Sequence, residues 1–505
     1  MALSLACHTR VRAGGGDAKV EATSFSASGR WELGYLRQPR QFQSTTQLKH
    51  KALFVSYTQC DIYDFITRRW SRGDFKNPRR HVVAASNSTH AYFAGGEIGR
   101  AGEGGYSSDI DIYSLAGDTW AAGRLSQARQ VAAAVSVGDA VLFAGGISKD
   151  GYSGRVDVFE SGKRHKYDLG VARHHISAVA NERVAVFAGG FAHSPSAAVD
   201  IYNAADKTWA KASLSVARFG MSVAAMGNHM LFAGGIASAD SSRLCDRIDI
   251  YNTATNTWST TALSEAKYGM AAVVVEGKAY FIGGYLGNSR LSDKIEIYDI
   301  ARGTWAYERL QSPRAGMAVA QSHQQIMLAG GHINTAAQCT DRVEVLDITT
   351  GKWSVSKITK PRIGIAAAAY NDELLFAGGS IVDKSQIIEP FYGEIEIWKP
   401  GNEASQITAF STNGMHDAML SYSKEDTTLL VDLTELQYTP VTVRLLDEYM
   451  DCKLKNDYLP VGATYEPLKM AALPHGNYWL IIEGSMRPVV RRIQYTESAV
   501  QYASN

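Results

Sequence analysis

A chain of 505 residues exceeds the roughly 250–300 that one hydrophobic core serves, so two domains or a repeat architecture are expected. Hydrophobic residues make up 45% and charged residues 20%, the composition of a globular protein, and Lys plus Arg total 51 against 50 for Asp plus Glu, so no global field points to nucleic acid or an anionic membrane. No apolar run reaches the ~18 residues of a membrane-spanning helix, and the five cysteines (Cys7, Cys60, Cys245, Cys339, Cys452) lack metal or disulfide-framework spacing.

Residues 1–29 are small, polar and aperiodic and read as a flexible tail. The apolar stretch in MALSLACHTRVRAGGG is too short for a secretory leader, so the cytoplasm is the default location. The regular pattern begins at Trp31, where WELGYLRQPRQFQSTTQLKHKALF aligns without gaps on WAAGRLSQARQVAAAVSVGDAVLF from Trp120. An apolar strand then recurs as ALFVS, AYFAGG, VLFAGG, VAVFAGG, MLFAGG, AYFIGG, IMLAGG and LLFAGG. Seven of these eight copies end in paired glycines: Gly95-Gly96, Gly145-Gly146, Gly189-Gly190, Gly234-Gly235, Gly283-Gly284, Gly330-Gly331 and Gly378-Gly379. An alternating strand comes after each copy (DIYDF, DIDIY, RVDVF, AVDIY, RIDIY, KIEIY, RVEVL, EIEIW). A Trp position is next, filled by Trp31, Trp70, Trp120, Trp209, Trp258, Trp305 and Trp353, with Tyr167 read as the stand-in in the third repeat. A basic residue and a strand of small residues complete the unit, and alanine there suits strands crowded around an axis.

Two-faced strands at this period cannot bury both faces alone, whereas radial stacking in a closed ring does so and removes the edges at the ends of the array. The last copy ends at Trp398 with no Trp strand after it, and the Trp31 strand has no partner before it, so the N-terminal strand is expected to close the ring. This pattern of paired glycines, Tyr-bearing strand and Trp resembles the kelch repeat family over residues 31–398. The resemblance implies four-stranded blades in an all-β propeller. Eight blades over residues 30–400 are predicted, with seven the alternative, because ALFVSYTQC lacks the glycine pair. The paired glycines read as backbone devices and not as a phosphate loop.

Beyond Gly401 the repeat stops. Short alternating strands over 405–496 predict a small C-terminal β-sandwich, with a tail at 497–505. The ending LPHGNYWLIIEG…PVVRRI resembles the last hairpin of bacterial C-terminal secretion-sorting domains, which would imply an extracellular or cell-surface location; an Ig-like domain beside the propeller is the other reading.

The sequence holds no catalytic constellation of a known kind. The copper site of galactose oxidase, a kelch-type enzyme, would need a Tyr-His pair, and no Tyr-His dipeptide occurs. The Glu/Asp/His iron spacing of kelch specifier proteins is also absent. His174-His175 are adjacent, but strand neighbours point to opposite faces, and His332 after Gly330-Gly331 reads as a polar channel residue. No enzyme activity, metal or cofactor is therefore expected. A ring of cations does stand out: Arg40, Arg79, Arg129, Arg218, Lys267, Arg314 and Arg362 lie nine residues after a Trp, and Arg173 takes the same slot in the third repeat. Strand alternation places all of them at one channel mouth, on the face that also carries the loops after Gly-Gly. Each middle strand carries an acid: Asp61, Asp111, Asp157, Asp200, Asp249, Glu296, Glu344 and Glu396. Two alternatives arise. The cations pair with these acids as scaffold, or some are spare and attract an acidic partner.

The loops after Gly-Gly vary while the strands are near copies, which is where recognition usually sits; SIVDKSQIIEPFYG is the longest and most apolar. These features predict a non-catalytic protein-binding or assembly scaffold presenting loops and a basic channel mouth. A secreted carbohydrate-binding or carbohydrate-active protein is the alternative, and a structural subunit of a large assembly the second. A protein partner is expected, with an acidic segment or a glycan as candidates and nucleic acid excluded. Too few residues precede Trp31 for a BTB, BACK or F-box segment, so a ubiquitin-ligase adaptor is not expected.

Overall fold

The computed structural model describes residues 29–36, 42, 44–99, 105–288, 290–333, 338–381 and 392–400, and in the C-terminal part 420–423, 428–432, 441–447, 452–458, 465–470, 473–483, 489–496 and 499–502. The tail before residue 29, Arg40 and most of the apolar loop at 382–391 lie outside these.

Every regular element among the described residues is a β-strand. Up to residue 400 they form eight four-stranded antiparallel sheets, with two additional two-stranded ribbons. Within a sheet the chain runs from the innermost strand outward. In the fifth sheet these strands are Ser222–Met226, His229–Ala233, Arg247–Asn252 and Thr257–Ala262. The third and fourth strands are held in register by an aromatic pair: Tyr251 lies opposite Trp258, with stacked rings 4.9 Å apart. The turn between them starts at Asn252, whose side chain accepts the Ala254 N–H at 3.0 Å, the usual Asx-turn device.

The third sheet departs from this rule. Its outer turn is two residues, Ser161-Gly162, both at positive φ, where the second sheet has four between Ser114 and Thr119. That shortening moves the partner of Phe159 to Arg164. The Trp slot is therefore held by Arg164, whose Nη1 donates to the Arg124 carbonyl of the preceding sheet at 2.6 Å. Tyr167, expected in that slot, instead lies opposite Val156 and packs near Trp209 of the next sheet, ring centroids 5.6 Å apart. Counting nine residues back from Arg173 would have found Arg164.

The innermost strands touch in a closed cycle, each against the next and Ser44–Leu48 against Ala366–Tyr370. Alanine-rich sequences there let eight strands approach one axis. Closure is completed by Gly29–Tyr35, which pairs antiparallel with Glu394–Pro400 so that Trp31 lies opposite Trp398. Trp31 is 1% exposed, its ring centroid is 5.2 Å from that of Trp398, and its Nε1 donates to Ser356 Oγ at 2.8 Å. Glu32 accepts an ion pair from Lys399 at 2.6 Å.

After residue 400 the chain forms a three-stranded and a five-stranded sheet. Leu429 and Val431 of the first share an apolar cluster with Val443, Leu445, Leu480 and Ile482 of the second. Alternate residues of those same strands, Leu446, Trp479 and Ile481, join the cluster that holds Trp31, Leu33 and Ile358. The five-stranded sheet thus has one face on its own core and the other against the closing sheet of the ring.

Truncating a fully buried Trp removes about 3–5 kcal/mol. Trp31→Ala is expected to lower the denaturant midpoint accordingly, with the slope unchanged. A loss below about 1 kcal/mol would show that the N-terminal strand does not close the ring.

Candidate functional site

The connector entering each sheet carries the cation, and its position is set by three sets of hydrogen bonds. In the fifth sheet Arg218 Nη2 lies 2.6 Å from Asp249 Oδ2, and the guanidinium also donates to the carbonyls of Phe232 and Gly234 at 3.0 and 2.9 Å. Arg129 and Arg173 repeat this with Asp157 and Asp200 at 2.9 and 2.8 Å. Arg79 meets Asp111 at 2.5 Å, Lys267 meets Glu296 at 2.6 Å, Arg314 meets Glu344 at 3.1 Å, and Arg362 pairs with Glu396. Each pair lies within one sheet.

The second carboxylate oxygen accepts from the connector that brings the chain in from the preceding sheet. Asp249 Oδ1 takes the Ser215 N–H at 2.9 Å, and Asp157 Oδ1 takes that of Ser126 at 2.9 Å. The cation's own carbonyl faces the preceding sheet, where the second glycine of each pair donates to it: Gly190 N to Arg218 O at 3.0 Å, Gly235 N to Lys267 O at 2.9 Å. All fourteen paired glycines have positive φ. At Gly234 a Cβ would stand 2.3 Å from the Lys267 carbonyl, which excludes any side chain.

All seven described cations of the ring are 0% exposed. Burial lowers the pKa of Arg129, Arg173 and Arg314, opposed by their carboxylate partners, and guanidinium groups stay charged at neutral pH regardless. The geometry is that of the pairing alternative. Arg79, Arg129, Arg173, Arg218, Lys267, Arg314 and Arg362 do not line the mouth with spare charge, because each side chain turns inward against the carboxylate of its own sheet. Arg40 lies outside the described residues.

The residue after each cation is the one that reaches the face. It bridges to the residue after Gly-Gly in its own sheet: Arg80 with Glu97, Gln130 with Ile147, His174 with Phe191, Phe219 with Ile236, Tyr268 with Tyr285, Ala315 with His332, and Ile363 with Ser380. The expectation that both loops share a face is met by these bridges. Aromatic side chains gather at these positions in the fourth, fifth and sixth sheets, with Tyr152 of the third beside them. Tyr152 lies 5.1 Å from His174, Phe191 lies 5.4 Å from Phe219, and Tyr268 stacks on Tyr285 at 5.1 Å. These side chains are half-buried, held on one side by the rim and open on the other.

His174 and His175 do not diverge as strand neighbours would, because His175 sits at φ 52° and brings its ring to 4.2 Å from that of His174. Burial first, and then His175, push the His174 pKa from the ordinary 6.5 down to about 4. Among the described residues no three His, Cys, Asp or Glu side chains converge as a metal site would need. Sequence reasoning placed the loops after Gly-Gly on this face but missed the pairing of their first residue with the one after the cation; the regular spacing of both in the repeats was the available signal.

Residues 174–379 match the family model of the KLHDC2/KLHL20/DRC7 Kelch-repeats domain. This stretch is built of kelch repeats. The match spans four complete four-stranded sheets and the inner strands of the closing one, and the all-β ring is a kelch-type propeller. Kelch-repeat domains commonly mediate protein–protein interaction and are generally non-catalytic. No curated protein matches the chain.

A His174 pKa depressed from 6.5 to about 4 means the folded state binds fewer protons than the unfolded state between those values, so this group's contribution to stability falls as pH drops through that window. The His174 ring resonance is expected to titrate near pH 4 by NMR. A midpoint at pH 6 or above would show that the rim leaves the ring in water.

Proposed function

We propose that the protein is a non-catalytic binding or assembly scaffold, and that its kelch propeller engages a protein partner through the face carrying the loops after Gly-Gly. The observation that carries this reading is the contrast between frame and face. The cation, acid and glycine positions repeat from sheet to sheet, while the two positions that bridge beside them range from Arg80 and Glu97 through Phe219 and Ile236 to Ala315 and His332. A rigid frame with a varied rim suits recognition. Half-buried aromatics on that rim supply large contact area at low entropic cost, as interface anchors do.

With the seven described cations buried and paired, their charge gives no support to an acidic segment as the partner at the mouth. The gathered aromatics favour a partner recognised by apolar and hydrogen-bonding contacts. In this reading residues 30–400 form the binding ring, and the two later sheets form a second unit resting on the closing sheet, with the strand Ala499–Tyr502 in the stretch expected as a tail.

Site-specific photo-crosslinking tests the assignment. A benzophenone side chain placed at Phe219 or Tyr268 is expected to capture the same discrete partner from the protein's own cells. The same group at Tyr307, an exposed residue on an outer strand, is expected not to. Phe219→Ala with Tyr268→Ala should abolish capture through a third face position while leaving the melting temperature within about 2 °C, as half-exposed sites allow. Equal capture at Tyr307, or none at the face, would refute the reading.

A further inference from the structure

The outer strand of the third sheet, Lys163–Asp168, is unlike its counterparts. It is the last strand of its sheet, so one edge of its backbone has no strand partner among the described residues. It reads KRHKYD, and its first four residues are exposed, whereas the neighbouring outer strands read TWAAGR and TWAKAS. The two-residue turn produces this strand by displacing the Trp slot onto Arg164.

Lys163 and Lys166 make no ion pair among the described residues, although three carboxylates stand close by. Each of those acids is already engaged. Glu160, opposite Lys163, is held by Lys207 at 2.6 Å; Asp157, opposite Lys166, by Arg129 at 2.9 Å; and Asp168 by Arg155 at 3.0 Å. The flanks add charge of the same sign. The Arg124 carbonyl touches Arg164, and Lys211 of the fourth sheet reaches to Gly170 just past the strand. The Arg124 and Lys211 side chains are exposed and also lack ion pairs among the described residues.

We propose that this edge docks an extended acidic segment of another protein by strand addition. The open backbone edge supplies hydrogen bonds, while Lys163 and Lys166, on opposite faces of the strand, select acidic side chains on both sides. Lysine on an edge strand also discourages unwanted pairing, but that purpose does not call for four successive basic residues. The exposed edge Thr257–Ala262 of the fifth sheet has none at all. Repulsion of basic strands and attraction of an acidic one come from the same charges. This site lies on the outer rim and is independent of the loop face.

The test uses the full chain and a fluorescein-labelled peptide of alternating Glu and Val, about eight residues long to span the strand at ~3.3 Å per residue. Fluorescence anisotropy is expected to show binding that weakens with salt. Lys163→Glu with Lys166→Glu should weaken it roughly tenfold or more, the scale of losing two pairs and gaining two repulsions. Thr260→Glu on the fifth sheet should leave it unchanged. A peptide of equal charge and sequence, N-methylated at every backbone nitrogen, should lose binding, because it has no N–H to donate along the edge. Lys163→Ala with Lys166→Ala, which removes charge without reversing it, guards against a folding defect. Equal binding of the N-methylated peptide would overturn strand addition. Tighter binding of a single-stranded oligonucleotide or of phosphatidylserine vesicles at the same lysines would overturn the partner class. Indifference to all the lysine variants would overturn the site.

Discussion

The ring depends on one buried contact repeated around it: a cation on the entering connector against a carboxylate on the third strand. Bringing both charges out of water costs several kcal/mol per ion, and the contact is stable only where the remaining donors and acceptors are also met. In the fifth sheet they are met from three directions, by Asp249, by the Phe232 and Gly234 carbonyls, and by the Ser215 amide on the second carboxylate oxygen. The same residue then offers its own carbonyl to the preceding sheet, where Gly190 donates to Arg218. One residue therefore joins its own sheet, the incoming connector and the neighbouring sheet. That geometry demands the glycine pair, since a Cβ at Gly189 would meet the Arg218 carbonyl at 2.4 Å.

Placing the charges inside has a consequence for recognition. The mouth is lined by the residues next in sequence after the cations, and that set is free to vary because the frame does not use it. Aromatic groups collect in the fourth, fifth and sixth sheets, while the second carries Arg80 and Glu97. The third sheet varies differently. Its shortened turn gives up the Trp slot, and the outer strand becomes a basic edge while the inner frame of Arg129, Asp157 and Gly145 is retained.

Much of this was legible in the residues. The Trp31 strand beside Trp398, the four-stranded unit, the shared face of the two loops and the register of cation with acid are all consequences of spacing. The inward turn of the cations is not, because spacing places a backbone and not a side chain. Whether Arg218 points to solvent or to Asp249 is decided by carbonyls that no sequence pattern marks as free. Tyr167 was misplaced because aromatic identity outweighed register, although the nine-residue count to Arg173 points to Arg164. The His174-His175 contact depends on a left-handed residue that is not glycine, which sequence alone does not announce.

The central claim is that the cation and acid form one structural unit in each sheet, and a double-mutant cycle on Arg218 and Asp249 tests it most directly. Arg218→Met and Asp249→Leu, taken singly, are each expected to cost about 3–5 kcal/mol, because each leaves a buried charge without its partner. The double variant is expected to be more stable than either single one, since it removes both charges together. Additive losses, or single losses below about 1 kcal/mol, would contradict the account and return Arg218 to the solvent-facing mouth.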